Sequence, residues 1–135
     1  MRRQGYGKPL ICSDRGGRLG PPWHSKSSKC KCSLYDPALD VAVETADGEA
    51  AGYALFWFDP VTKVGLVEPM RVEHAYQRRG LARAMLTAGL DRLANRGATR
   101  VKVGYSTDVA RGLYVGAGFR VTSTSRSWRR RVARD

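Results

Sequence analysis

The chain reads as an α/β fold of the α+β kind, a mixed and mostly antiparallel sheet flanked by helices. Three observations predict it. Between Asp40 and Val72, apolar-rich runs of strand length are separated by turn residues; after Gly80 the apolar period changes from about two to about 3.6; and near Val101 and Val103 a short strand returns. A length of 135 residues fits one domain, and 42% hydrophobic with 27% charged residues is ordinary globular composition.

The elements follow in order from Leu34. Asp40-Val41-Ala42-Val43-Glu44-Thr45 alternates as a half-buried strand, and Asp47-Gly48 supplies the positive backbone dihedrals of a tight hairpin turn. Ala51 to Phe58 is an aromatic-rich second strand broken by Asp59-Pro60, and Val64 to Val72 is a third strand returning beside it. Pro69 has no N–H for the ladder, so this strand is expected to bulge or splay near Glu68 and Pro69. Leu81, Met85, Leu86, Ala88, Leu90 and Leu93 form the stripe of a helix, and Gly97 stands where a left-handed cap ends it. Arg100 to Tyr105 makes a short buried strand, and Thr107 or Asp108 caps a second helix through Leu113 and Tyr114, closed by Gly116 and Gly118. Phe119 to Thr124 and Ser127 to Val132 are expected to form a final pair of strands.

Residues 1–33 differ in kind. They hold five Gly, three Pro and five Ser with no apolar period, and are expected to be an irregular basic segment ahead of a folded domain at residues 34–132. The net charge of +12 is concentrated at the ends: +7 over residues 1–33, +5 over residues 120–135, and zero between. A neutral body argues against a broad nucleic-acid footprint. Trp128 amid Arg126, Arg129, Arg130 and Arg131 is the feature that a nucleic-acid-binding module would use, by stacking and phosphate contact. The apolar run Tyr53 to Phe58 is far shorter than the roughly 20 residues of a membrane span, so no membrane partner is expected. Cys12, Cys30 and Cys32 are odd in number, which disfavours a disulfide framework and points to a cytoplasmic setting. Cys30 and Cys32 are one residue apart, closer than zinc knuckles use, so no metal is expected even with His24 nearby.

The segment that carries chemistry follows the third strand. Val72-Glu73-His74-Ala75-Tyr76 leads into Gln77-Arg78-Arg79-Gly80-Leu81-Ala82-Arg83, a basic, glycine-containing turn opening directly onto a helix. The first turn of a helix has N–H groups without intrahelical partners at the positive end of its dipole, which suits a pyrophosphate. Gly80 allows close backbone approach, Ala82 leaves room, and Arg78, Arg79 and Arg83 add charge.

These residues resemble the GNAT superfamily of N-acetyltransferases, whose signature is Gln or Arg, two residues, Gly, one residue, then Gly or Ala; it stands here as Gln77-Arg78-Arg79-Gly80-Leu81-Ala82. A second block, Leu113-Tyr114-Val115-Gly116-Ala117-Gly118-Phe119, is similar to the family's Tyr-x-x-x-Gly-Phe segment. The resemblance covers roughly Leu34 to Arg130. It implies a GNAT-like fold and acetyl-coenzyme A as co-substrate, held by the backbone of Met70 to Val72 and by Gln77, Arg78, Arg79, Gly80, Leu81, Ala82 and Arg83. Thr107 joins this set where the family often has Asn, and His74 stands where it usually has Pro. Family members also begin with a strand and one or two helices that build part of the acceptor pocket. Residues 1–33 show no such pattern, so the fold is expected to be incomplete at its amino-terminal side, with an exposed sheet edge that favours a homodimer.

Acyl transfer to an amine needs a base, a donor for the developing oxyanion and an acid for the departing thiolate. The resemblance implies a backbone N–H of Met70 to Val72 as donor and Tyr114 as acid. For the base, Glu68 is the first choice, because strict strand alternation places it on the same face as Met70 and Val72; Glu73 and His74 are the alternatives, acting through water. The expected function is N-acetylation of a primary amine, in a small molecule or a peptide, by direct attack. The alternatives are a non-catalytic acyl-coenzyme A-binding remnant and the nucleic-acid-binding module.

Overall fold

The computed structural model of the chain describes residues 34–130, together with the backbone of residues 11–14. Its elements in chain order are β1 (Ile11–Asp14), β2 (Asp40–Glu44), β3 (Ala50–Asp59), β4 (Val64–Val72), α1 (Leu81–Asn95), β5 (Arg100–Val103) and α2 (Asp108–Gly116), with 3-10 turns at Pro37–Leu39 and His74–Tyr76. The strands form one sheet in the order β1-β2-β3-β4-β5. The first three pairings are antiparallel, and β4 with β5 is parallel. By internal packing the chain divides into two units, Met1–Gly104 and Tyr105–Asp135.

In the first unit, α1 packs on one face of the sheet. Leu81, Met85, Leu86 and Leu93 meet a buried layer that includes Val41, Val43, Ala54, Phe56 and Val67. Val41 pairs with Ala54 and Phe56 with Val67, so these side chains share the α1 face of a pleated sheet. Phe56 is fully buried beneath Gly89, where an added Cβ would fall on its ring. That makes Gly89 the middle of the apolar stripe, a position at which hydrophobicity counting sees a gap. Burying a ring the size of Phe56 stabilises by about 1.5–3 kcal/mol, and only a glycine lets the helix come close enough.

The helix ends follow from local chemistry. At the α1 terminus Gly97 takes φ 90°, the Ala98 N–H donates to Leu93 O at 3.0 Å and the Gly97 N–H to Ala94 O at 2.9 Å, which is a Schellman closure. The α2 terminus repeats it: Gly118 takes φ 93°, the Phe119 N–H donates to Tyr114 O at 3.0 Å and the Gly118 N–H to Val115 O at 3.0 Å. Thr107 caps the start of α2, its side-chain oxygen accepting from the Ala110 N–H at 3.2 Å.

Several expectations are corrected. A strand does precede Leu34: β1 pairs antiparallel with β2 from Ile11↔Glu44 to Asp14↔Val41, so the outer edge of β2 is occupied and the open-edge reason for a homodimer falls. Four residues are too few to display a period, which is why this strand has no signature in the sequence. The remaining residues of 1–33, with Cys30, Cys32 and His24, lie outside the described residues. Of the hairpin pair, Gly48 alone is left-handed (φ 83°), and the loop is wider than two residues, the Thr45 hydroxyl oxygen accepting from the Glu49 N–H at 3.0 Å. The final strand pair is not formed over residues 119–130, and residues 131–135 lie outside the description. Residues 120–130 are exposed throughout, and arginines crowded around Trp128 provide no apolar face for a ladder to bury.

Candidate active site

The site begins with an irregularity in β4. Ala54 pairs with Met70 and Phe56 with Val67, so between them Leu55 alone opposes both Glu68 and Pro69, a bulge with one extra residue on β4. The expected interruption is therefore present. It has a second effect: the extra residue breaks the alternation, so Glu68 and Pro69 stand with Leu55 on the face away from α1, whereas Met70 and Val72 share the α1 face with Ala54 and Gly52. The expectation that Glu68 shares a face with Met70 and Val72 is corrected for that reason. The Glu68 side chain is exposed, and its carbonyl accepts from Trp57 Nε1 at 2.7 Å.

Beyond the bulge β4 loses its parallel neighbour. The β4–β5 pairing runs from Val64↔Arg100 to Val67↔Val103 and stops, while β4 continues to Val72. The Glu73 N–H donates to Ala51 O at 2.9 Å, so Glu73 and, by alternation, Arg71 direct their backbone groups toward β3. Met70 and Val72 direct theirs the other way, toward an edge with no paired strand among the described residues. The Val72 carbonyl on that edge accepts from Gln77 Nε2 at 3.3 Å.

After a 3-10 turn the chain reaches Arg78 with φ 63° and Gly80 with φ 77°, two left-handed residues that swing it into α1. Gly80 is the N-cap and offers no side chain to the first-turn amides. The Ala84 N–H is bonded to Gly80 O at 3.0 Å, so the amides of Leu81 and Ala82 precede the first helical hydrogen bond. A Cβ at Gly80 would meet nothing within 4 Å. Here the sequence signature becomes a physical object: an uncapped helix start, open above its glycine, with Arg78, Arg79 and Arg83 exposed around it. Leu81 contributes through its backbone only, its side chain being buried in the core. Ala82 is half-buried and small.

Arg79 is held in place. Its Cζ lies 5.3 Å from the centroid of the Tyr76 ring, and the Tyr76 hydroxyl donates to Glu49 Oε2 at 2.8 Å. That hydrogen bond is the main cause of a raised Tyr76 pKa. Neither Tyr76 nor Glu49 carries a sequence signal of this contact; they are 27 residues apart and meet because β3 and β4 pair antiparallel, which sets the residue before β3 beside the turn after β4. Of the alternative bases, Glu73 lies against Arg71 (Oε1 to Nε 3.2 Å) and His74 is exposed at the start of the 3-10 turn.

In the second unit, Tyr114 is buried at 8% exposure and packs edge-on against Phe119, ring centroids 5.8 Å apart. This is the apolar contact that accompanies a Schellman closure, between the residue three before the cap and the one two after it. The Tyr-x-x-x-Gly-Phe spacing is thus the chemistry of a helix stop: Tyr114 begins the final turn, Gly118 supplies φ 93°, and Phe119 folds back on Tyr114. Burial pushes the Tyr114 phenol up from its ordinary value, so it keeps its proton at neutral pH. The Thr107 hydroxyl oxygen is engaged as the cap of α2.

Residues 9–119 match the Acetyltransferase (GNAT) family. The chain belongs to the GNAT acetyltransferase family. The family region thus begins upstream of Leu34 and takes in β1. Over 119 residues the chain is 33% identical to a mycothiol acetyltransferase of Clavibacter michiganensis, covering 87% of this chain and 35% of that one, so it spans about a third of that relative's length. Its fold is similar to a Trypanosoma brucei acetyltransferase (TM-score 0.60, 21% identity, 67% of each chain). It is also similar to the aminoglycoside acetyltransferase AAC(6')-Iy in complex with a bisubstrate analog of coenzyme A (TM-score 0.58, 20% identity, 77% of this chain and 74% of that one). Family membership accounts for the α+β sheet and for the basic turn before α1. No described helix is long and apolar enough to cross a membrane.

Proposed function

We propose that the chain is an acetyl-coenzyme A-dependent N-acetyltransferase that acts on a primary amine, in a small molecule or a peptide, by direct attack. The observation that carries this reading is the α1 start. Gly80 is left-handed, carries no capping side chain, has open space where a Cβ would sit and is surrounded by three arginines. An anionic diphosphate fits that chemistry, taking hydrogen bonds from the Leu81 and Ala82 amides at the positive helix end and charge from Arg78, Arg79 and Arg83. The solved relative with a coenzyme A bisubstrate analog supports the same ligand class.

When bound, acetyl-coenzyme A supplies an activated thioester. The N–H groups of Met70 and Val72, turned away from the β3 ladder, are assigned to polarise the thioester carbonyl; this role is independent of the side chain. Glu68, exposed at the bulge, is assigned to take the proton that an incoming ammonium must lose. Tyr114, protonated at neutral pH, is assigned by its place in the second family block to give a proton to the departing sulfur. Gln77 steadies the end of β4 through Val72 O, and Thr107 acts through the capped start of α2.

Isothermal titration tests the ligand and thiol release tests turnover. Saturable binding of acetyl-coenzyme A with release of free thiol on adding amines is expected. Silence in titration up to millimolar ligand would end the proposal; binding without thiol release across a broad amine panel would leave an acyl-coenzyme A-binding protein in place of an enzyme.

A further inference from the structure

We propose that Tyr76 and Glu49 are positioning residues for coenzyme binding, acting through Arg79 on the negatively charged diphosphate end of the ligand. The inference rests on the acetyl-coenzyme A reading and goes beyond it by naming two residues outside both family blocks.

A surface arginine is costly to order, because its long side chain loses rotamer freedom when it grips a ligand. Here much of that ordering is in place beforehand. The guanidinium of Arg79 lies over the Tyr76 ring at 5.3 Å, within cation–π range. A cation–π contact engages the charge of the guanidinium without an acceptor for its N–H groups, which stay able to meet a phosphate. The ring is itself fixed at its far end by the 2.8 Å hydrogen bond from its hydroxyl to Glu49 Oε2. A phenol donating to a carboxylate gains electron density, which strengthens its attraction for a cation.

Glu49 is not a loose partner. It sits in the β2–β3 turn, where its N–H donates to the Thr45 hydroxyl at 3.0 Å and its carbonyl accepts from the Thr45 N–H at 2.8 Å. The 3-10 turn that carries Tyr76 is tied to the sheet through the Glu73 N–H and Ala51 O. A continuous set of contacts therefore runs from the hairpin turn through Glu49 and Tyr76 to Arg79, the residue immediately before the helix cap. Its predicted effect is on affinity, with no group contributed to the chemical step.

The test is a double-variant cycle read by titration with coenzyme A and, separately, with pantetheine, which lacks the diphosphate and nucleotide. Tyr76→Leu is expected to weaken coenzyme A binding about three- to five-fold, the range a surface cation–π contact supports. Tyr76→Phe, which keeps the ring, and Glu49→Gln are expected to weaken it less. Adding Arg79→Gln to Tyr76→Leu should cost less than Arg79→Gln alone, pantetheine binding should stay unchanged, and KM for acetyl-coenzyme A should rise while kcat holds. Additive losses in the cycle, or equal losses for pantetheine, would overturn the positioning role. A wild-type chain that binds neither ligand would instead overturn the acetyltransferase reading.

Discussion

Gly80 concentrates the chemistry of the site in one backbone conformation. At φ 77° an L-residue is strained, but aspartate tolerates this region better than most and is a good helix cap. Gly80→Asp is therefore expected to lower thermal stability modestly, the chain remaining folded, while placing a negative charge where the diphosphate is proposed to bind. Affinity for acetyl-coenzyme A should fall more than about ten-fold, by repulsion alone; equal affinity in titration would show that the turn holds no anion. Glu68→Gln is expected to lower kcat at neutral pH with little change in coenzyme affinity, and a pH–rate profile that keeps its acid limb would remove Glu68 as the base. Tyr114 allows a linkage test. Its pKa is raised by burial, so above about pH 10 the unfolded chain loses this proton before the native state does, and stability declines as pH rises. Tyr114→Phe should flatten that alkaline decline in denaturant titrations. If Tyr114 is also the acid, the same variant should reduce kcat about 100-fold.

The secondary-structure elements show which signals are local and which are not. The α1 start and stop were readable at Gly80 and Gly97, and β4 was readable to its end residues, because glycine conformations and apolar runs are properties of short segments. The bulge was readable too, from Pro69. The face of Glu68 was not, since one inserted residue reverses every later side chain and only the register with β3 reveals it. Gly89 was likewise silent in sequence and decisive in packing. Gly89→Ala gains about 1 kcal/mol of helix propensity but drives a methyl into the Phe56 ring, at a cost of about 1–3 kcal/mol or more. Net destabilisation is expected in chemical denaturation. Combining it with Phe56→Leu should recover part of the loss, and no recovery would show that the clash lies elsewhere.

For the molecule as a whole, the amino-terminal segment changes meaning once β1 is seen. A four-residue strand covers the outer edge of β2, which would otherwise present unpaired backbone groups. Removal of residues 1–33 is expected to expose that edge and to raise the apparent mass in light scattering, or to lower solubility. A monodisperse, equally soluble product would show that β2 needs no cover. The excess charge of the two chain ends, +7 and +5, leaves a neutral body, so the proposed diphosphate site draws its positive charge from one turn and three arginines.

The amino-acid order alone pointed to the family-type architecture, the order of β3, β4 and α1 with their ends to within a residue or two, and the basic, glycine-containing turn at Gln77 to Arg83. Each depends on contacts within a few residues, such as a period, a cap or a left-handed glycine. Long-range geometry settled the rest: which face Glu68 presents, the backbone edge of Met70 and Val72 that meets no strand among the described residues, the fit of Phe56 under Gly89, the edge cover by β1, and the meeting of Glu49, Tyr76 and Arg79. Those features arise from pairings between segments distant in the chain, and a register or a ring contact has no signature until both partners are placed.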